Sequence, residues 1–249
     1  GDLRQGAMRD GKYPNFGQLP FYVEQQGGMD VIVANNNPNV QLGTAYDQVD
    51  LLEKLRVRSG ARTVHQLNLQ YSTSSNVPRY DRLSTYSTNA LQELVPDQAE
   101  WYYGPQERML LAYTLELEKH SWADHARITP SYQRITQSRH NRSWGSSQLG
   151  SRVENVSVQG LNAEFERRIG RHEIRYGLEA YNNDVSSKGE RRNINTGEVS
   201  YLSSRYPNGG STMTSAAVFL THTYEAGKRW VFSEGLRFNY VGLTATFAD

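Results

Sequence analysis

Arg79, Tyr80, Asp81 and Arg82 stand in one unbroken run, and Arg191, Arg192, Tyr201, Arg205 and Tyr206 gather in a second. Guanidinium groups grip carboxylates and phosphates through paired N–H donors, and a tyrosine ring offers a flat ligand a surface for stacking. Both runs suit an anionic ligand with a flat portion. A plainer reading stands beside this one. Asp81 pairs with Arg79 or Arg82 and stiffens its own loop, while the second run is solvated or meets lipopolysaccharide phosphates. Pro78 fixes its own φ and restricts Val77, which braces the first run. His140, in SRHNRSWG, is the histidine placed to offer a neutral imidazole to a metal-bearing ligand; the alternative is a solvated loop histidine. No two of the six histidines have the spacing of a metal pair. The chain has no cysteine, which removes disulfides and thiol chemistry. It has no GxSxG nucleophile turn, and no catalytic constellation is visible. Its net charge of +1 gives no general attraction to nucleic acid.

The elements that must position these residues are strands. In WVFSEGLRFNY, Trp230, Phe232, Leu236, Phe238 and Tyr240 alternate with Ser233, Gly235, Arg237 and Asn239, and Glu234 is the even-numbered exception, assigned to the wet side. The same period of two recurs in TVHQLNLQYS, MLLAYTLELE and HEIRYGLEAY, and more weakly in SAAVFLTHTY. It predicts strands at 13–24, 43–58, 62–73, 101–119, 125–138, 152–168, 172–184, 213–226 and 229–247. Pro130 inside the fifth of these predicts a bulge or bend. Short turns at 59–62, 120–124, 169–171 and 226–228 alternate with long polar connections at about 74–100, 139–151 and 185–212. That rhythm is the one an up-and-down barrel gives, with short turns at one end and long loops at the other.

Strand length and aromatic placement separate a membrane barrel from a soluble sandwich or lipocalin-like barrel. The predicted strands exceed the usual five or six residues of soluble sheets. Trp230 and Tyr240 share a face ten residues apart. That is roughly 33 Å along a strand, or about 25 Å of height once tilted, the height of a membrane barrel's apolar band. Trp122 and Trp230 flank short turns, and Trp101, Tyr102 and Tyr103 flank a long loop; together with Tyr240 they are expected to form two aromatic girdles. The predicted fold class is therefore an all-β, transmembrane, up-and-down antiparallel β-barrel, with residues 1–249 supplying about nine strands of a larger one. His65, His125 and His172 then fall beside short turns, His222 falls on the lipid-facing register, and Glu116 and Glu118 face a hydrated lumen. No apolar run reaches the length of a transmembrane helix. No leader opens the chain and it stops at GLTATFAD, just beyond a strong strand pattern, so a segment of something longer is expected.

STSSNVPRYDRLS (72–84), followed by AEWYYGPQERMLLAY (99–113), resembles the TonB-dependent outer-membrane receptors, especially those of Bacteroidetes-type bacteria. NNNPNVQLGTAYDQVDLLEKLRVR (35–58), RHEIRYGLEAYNNDV (171–185) and RYPNGGSTM (205–213) are similar to the same family. The resemblance implies a receptor importing a scarce iron complex, haem or a ferric siderophore, with no catalytic activity and no resident cofactor. It also implies a plug domain and further strands outside this chain, a TonB complex engaged through that plug, and surrounding outer-membrane lipid and lipopolysaccharide. A surface lipoprotein is an optional partner, and nucleic acid is not one. On this reading His140 is a candidate haem-iron ligand, and Arg79, Tyr80, Arg82, Arg205 and Tyr206 are loop residues that receive the ligand's acidic groups. The rivals are a passive porin-like channel, a barrel enzyme of the outer membrane and a soluble β-barrel binding protein.

Overall fold

In the computed structural model, which describes Leu3, Arg4 and residues 18–248, the period-two runs fold as strands of one large antiparallel sheet. The strands are β1 (Leu3–Arg4), β2 (Phe21–Gln26), β3 (Met29–Ala34), β4 (Val40–Gln41), β5 (Gln48–Arg58), β6 (Thr63–Ser74), β7 (Val77–Pro78), β8 (Tyr86–Thr88) and β9 (Leu94–Pro96). They continue as β10 (Gln98–Tyr103), β11 (Glu107–Glu118), β12 (His125–Ser143), β13 (Gln148–Ile169), β14 (His172–Asn193), β15 (Val199–Tyr201), β16 (Ser211–Ala226) and β17 (Trp230–Ala245). One helical turn, α1 (Tyr80–Leu83), interrupts them. The sheet runs β5-β6-β11-β12-β13-β14-β16-β17, each strand beside its neighbour in sequence or across a long connection, and β5 and β17 are its two edges.

Several expectations are corrected. The 13–24 strand falls partly outside the described residues; from Phe21 the chain forms a β2–β3 hairpin away from the main sheet. The single strand expected at 101–119 is two strands, because the chain turns at Gly104 (φ +96), where a Cβ would meet the Ser75 carbonyl at 2.7 Å. The connection expected at 139–151 is strand: β12 and β13 stay paired up to Asn141↔Gly150 and close in a tight turn. β14 likewise runs on to Asn193. These extensions are polar on both faces, so they carry no hydrophobic alternation. Pro130 makes no bulge. It pairs with Leu161 in an unbroken β12–β13 register, and the β11–β12 pairing instead skips Thr129 and Pro130, where the missing proline N–H breaks the ladder. The Thr114 and Thr129 hydroxyls bridge this gap at 3.0 Å.

Register fixes which side chains share a face. One row runs Val57, His65, Leu115, Ile128, Ala163, Leu178, Val218, Phe238 across all eight strands. Rows above and below it carry Leu55, Leu67, Leu161 and Tyr240, and Leu117, Phe165, Tyr176 and Leu236. This is the band face, and its large apolar side chains are exposed: Leu55 by 56%, Leu220 by 46%, Phe238 by 70%. Buried apolar side chains among the described residues are Leu19, Val64 and five alanines, so little of the apolar surface is spent on an internal core.

The opposite, charged face holds ion pairs instead. Glu116 joins Arg56 at 3.3 Å and Arg127 at 3.1 Å, and Arg237 pairs with Glu179. Arg168 and Arg175 pair with Glu166 and Glu173 beside the short turns.

The band crosses the hydrogen-bonded rows obliquely. On β5 it reaches eight residues beyond the Val57 row, to Val49; on β17 it reaches two beyond Phe238, to Tyr240. Its lower edge moves from Val57 itself to Trp230, eight residues below Phe238. Six to eight residues of displacement, about 20–26 Å, over seven strand spacings of about 4.8 Å, make an angle of roughly 30–38° between the strands and the normal to the band.

Candidate functional site

Above the band, at the end of the sheet where the long connections lie, β10 pairs with the top of β12, Tyr103 opposite Arg139 and Trp101 opposite Asn141. Trp101, Tyr103 and Arg139 therefore project from the charged face. β7 pairs with β10 and brings Arg79 over them. The Arg79 guanidinium sits 4.5 Å from the Trp101 ring centre and 5.5 Å from that of Tyr103, and it donates to the Tyr103 hydroxyl at 3.0 Å. Arg139 approaches both rings at 5.5 Å. The rings meet edge to face at 5.0 Å. Arg79 also grips both carboxylate oxygens of Asp81, which holds that carboxyl below its usual range.

Strand pairing sets Arg152 directly across from Arg139, and Arg191 is diagonal to Arg152 because it faces Gly150. Among the described residues Arg139, Arg152 and Arg191 have no ion pair, and the buried Arg139 Nε has no hydrogen-bond partner. Three uncompensated guanidiniums on neighbouring strands repel one another and favour an anion between them. A cleft of about 340 Å³ opens beside Arg152 and Arg191, lined also by Asn141 and Gln148. The segment after β15 folds onto this face. Arg152 donates to the Ser203 carbonyl at 3.0 Å, and Leu202 lies over Gly150 and Gly189, where side chains would collide with it.

Arg205 reaches the buried Glu154 carboxylate at 3.7 Å and lies 5.7 Å from the Tyr206 ring. Glu154 is held by Ser187 at 3.4 Å, and its second oxygen accepts no hydrogen bond among the described residues. Arg205 and Tyr206 thus join the charged face but brace their own segment. Arg82 is exposed and near Asp81 at 3.9 Å; Tyr80, in α1, is half-buried.

His140 is placed differently from the expectation of a lumen-facing ligand. Side chains alternate along β12, so Arg139 and Asn141 take the charged face and His140 takes the other. There its ring stacks on Tyr102 at 4.7 Å, its Nδ1 meets the Ser151 hydroxyl at 2.9 Å, and burial lowers its pKa. Alternation also divides the expected girdle. Trp101 and Tyr103 belong to the charged face, and only Tyr102 turns to the other side. Trp122 packs against Phe165 at 5.6 Å, and Trp230 and Tyr240 lie on the band face.

Glu234 also lies on the band face, where it pairs with His222 at 3.1 Å, rather than on the wet side. His222 Nε2 meets His172 Nδ1 at 2.9 Å, a proximity no sequence spacing announced. The ring planes are 11° apart with centres at 5.2 Å, so the two nitrogens meet head to head at hydrogen-bond distance and leave no gap for an ion between them. Among the described residues no group of three His, Asp or Glu is arranged to hold a metal. The residues that sequence reasoning missed here are Arg139, inside the stretch expected as a connection, and Arg152, at the first position of an expected strand. Their only signal was that 137, 139 and 141, like 150, 152 and 154, share parity.

Under the hairpin, Arg142 is 3% exposed and donates to both Asp30 oxygens at 2.7 and 2.8 Å and to Glu100 at 2.7 Å. This clamp fixes β2–β3 to the β12–β13 turn, where the Gly145 N–H also donates to Asp30.

No family model and no curated protein matches the chain. Among solved structures, the chain is similar to the ferric citrate transporter FecA in its unliganded form, with a TM-score of 0.49 and 17% identity. The match covers 80% of this chain and 30% of the FecA chain.

Proposed function

We propose that this chain forms part of an outer-membrane β-barrel receptor of the TonB-dependent type, a transporter rather than an enzyme. In this reading the band face meets lipid and the charged face lines the lumen. The observation that carries it is the continuous exposed apolar band, set obliquely across eight strands and backed by ion pairs. An apolar patch of that extent on a soluble monomer is an interaction surface. A tilt of roughly 30–38° is near the 35–45° of membrane barrels. The cargo is an anionic iron complex, haem or a ferric siderophore, received by Arg139, Arg152 and Arg191 beside the Trp101–Tyr103 rings. Energy comes from the TonB complex through a plug outside this chain.

The test is binding and uptake by the native protein in its membranes. Replacing Arg139 and Arg191 together by Gln is expected to weaken binding of the anionic chelate at least tenfold while leaving the protein lipid-embedded. Recovery of the protein in the soluble fraction would sink the membrane reading. Uptake that persists after the proton gradient is collapsed would favour a passive channel.

A further inference from the structure

The row Met109, Arg134, Ser157, Asp184, Thr212, Thr244 crosses six strands on the band face. On β11 this row still belongs to the apolar band. From β12 onward it has left it, because the band descends toward β17. Just there a cleft of about 460 Å³ opens, within the usual size of ligand sites. Tyr132 forms its lower rim, one row nearer the band. Its upper wall is the turn at Gly209 and Gly210, closed by the Gly209 N–H donating to the Thr246 carbonyl and the Thr246 N–H to the Gly210 carbonyl, each at 2.9 Å.

The lining has a definite polarity. Arg134 is exposed and its guanidinium has no hydrogen bond or ion pair among the described residues, although three hydroxyl-bearing residues lie on its row. Two strands away, Asp184 accepts from Asn182 and from Thr212, each at 2.9 Å. Both of its oxygens are thereby aimed, but no cation neutralises it. Ser157 stands between Arg134 and Asp184, with Asn155 and Ser186 one row higher. The cleft therefore offers a cation at one wall, a fixed carboxylate about 10 Å away, and hydroxyl and amide groups between them. An occupant needs a phosphate or carboxylate at one end and several hydroxyls at the other. Its tail must also lie along the apolar band that begins at Tyr132 and Leu161 immediately below.

The geometry points to a binding site on this outer wall for the phosphorylated sugar headgroup of a membrane glycolipid, the phosphate on Arg134 and the sugar hydroxyls on Asp184, Ser157 and Thr212. The inference rests on the membrane reading and adds a specific lipid to it. A plain glycerophospholipid fills the phosphate position but leaves the hydroxyl-rich half without partners.

The experiment purifies the native protein from its membranes in mild detergent and measures the lipid retained per polypeptide by mass spectrometry. Wild type is compared with Arg134→Gln, Arg134→Lys and Thr212→Val, and Arg108→Gln, an exposed arginine on the opposite face, serves as the control. About one phosphorylated glycolipid should be retained by wild type and by Arg108→Gln. Retention should fall at least fivefold in Arg134→Gln, fall in Thr212→Val, and be partly kept in Arg134→Lys. Equal retention by wild type and Arg134→Gln would overturn the site, as would retention of glycerophospholipid alone. A membrane-embedded protein with no Arg134-dependent lipid refutes this site but leaves the membrane reading standing. A protein found in the soluble fraction refutes both.

Discussion

Arg142 and His140 are two residues apart on β12 and show how differently buried polar groups behave. Arg142 is compensated by Asp30 and Glu100. Asp30→Ala removes its bidentate partner and leaves a buried guanidinium with one carboxylate; the expected cost is about 3 kcal/mol. Because that clamp ties down the β2–β3 hairpin, faster proteolytic nicking between Gln26 and Gly28 should accompany it. Glu116→Gln should cost no more than about 1 kcal/mol, since both of its arginine partners are more than half exposed. Denaturant unfolding checks both values. His140 titrates below the ordinary imidazole range because burial disfavours its charged form. A depressed pKa contributes stability that is present above the unfolded-state value and lost as pH falls through the folded one. Acidification below about pH 6.5 should therefore loosen β10 from β12. Trp101 fluorescence would report this, and His140→Phe, which keeps the stack on Tyr102, should abolish the pH dependence. Neither His140→Phe nor His140→Gln should alter binding of an anionic ligand, because the ring faces away from Arg139.

At the scale of the strand, alternation decides which substitutions matter. Leu178 lies mid-band, and Leu178→Arg should cost about 2–4 kcal/mol in a bilayer. Thr129→Arg, on the charged face opposite Asn162 and diagonal to Glu116 and Glu164, should cost only about 1 kcal/mol, the loss of its hydrogen bond to Thr114. Unfolding from phospholipid vesicles compares them, and equal costs would reverse the assignment of faces. The eight sheet strands were legible in sequence wherever one face is apolar and the other polar. In the upper parts of β12, β13 and β14 that contrast is gone: Arg139, His140 and Asn141 look like loop, yet backbone pairing continues through them. The candidate site was legible in part for the same reason. Arg79 was found because it sits in a polar run beside Pro78, whereas Arg139 and Arg152 were not, because only cross-strand register reveals that they touch the same space. The division of Trp101, Tyr102 and Tyr103 between two faces was readable from their adjacency alone, since consecutive strand residues point opposite ways.

For the whole molecule, the oblique band is a statement about orientation. If its normal is the bilayer normal, polarised infrared spectra of oriented membranes should give a mean strand tilt of about 30–40°. A tilt near zero would mean that the band does not mark the bilayer. The two edges matter at this scale as well. Among the described residues β5 and β17 each have one edge with no strand partner, and in hydrocarbon every unpaired backbone group costs several kcal/mol. In lipid, then, both edges must be met by other strands.

On the proposed function, the overshoot of β12, β13 and β14 would also set the kinetics of anion capture. Arg139 stands seven residues above Tyr132, and Arg152 nine above Leu161, where the band ends on those strands. Corrected for tilt, that is about 20–25 Å, more than two screening lengths at physiological ionic strength. If the band marks the bilayer, the guanidiniums stand clear of the charged membrane surface, and an anion approaching them would feel them before the repulsion of lipid phosphates. Association should therefore slow steeply as salt is added, with dissociation nearly unchanged.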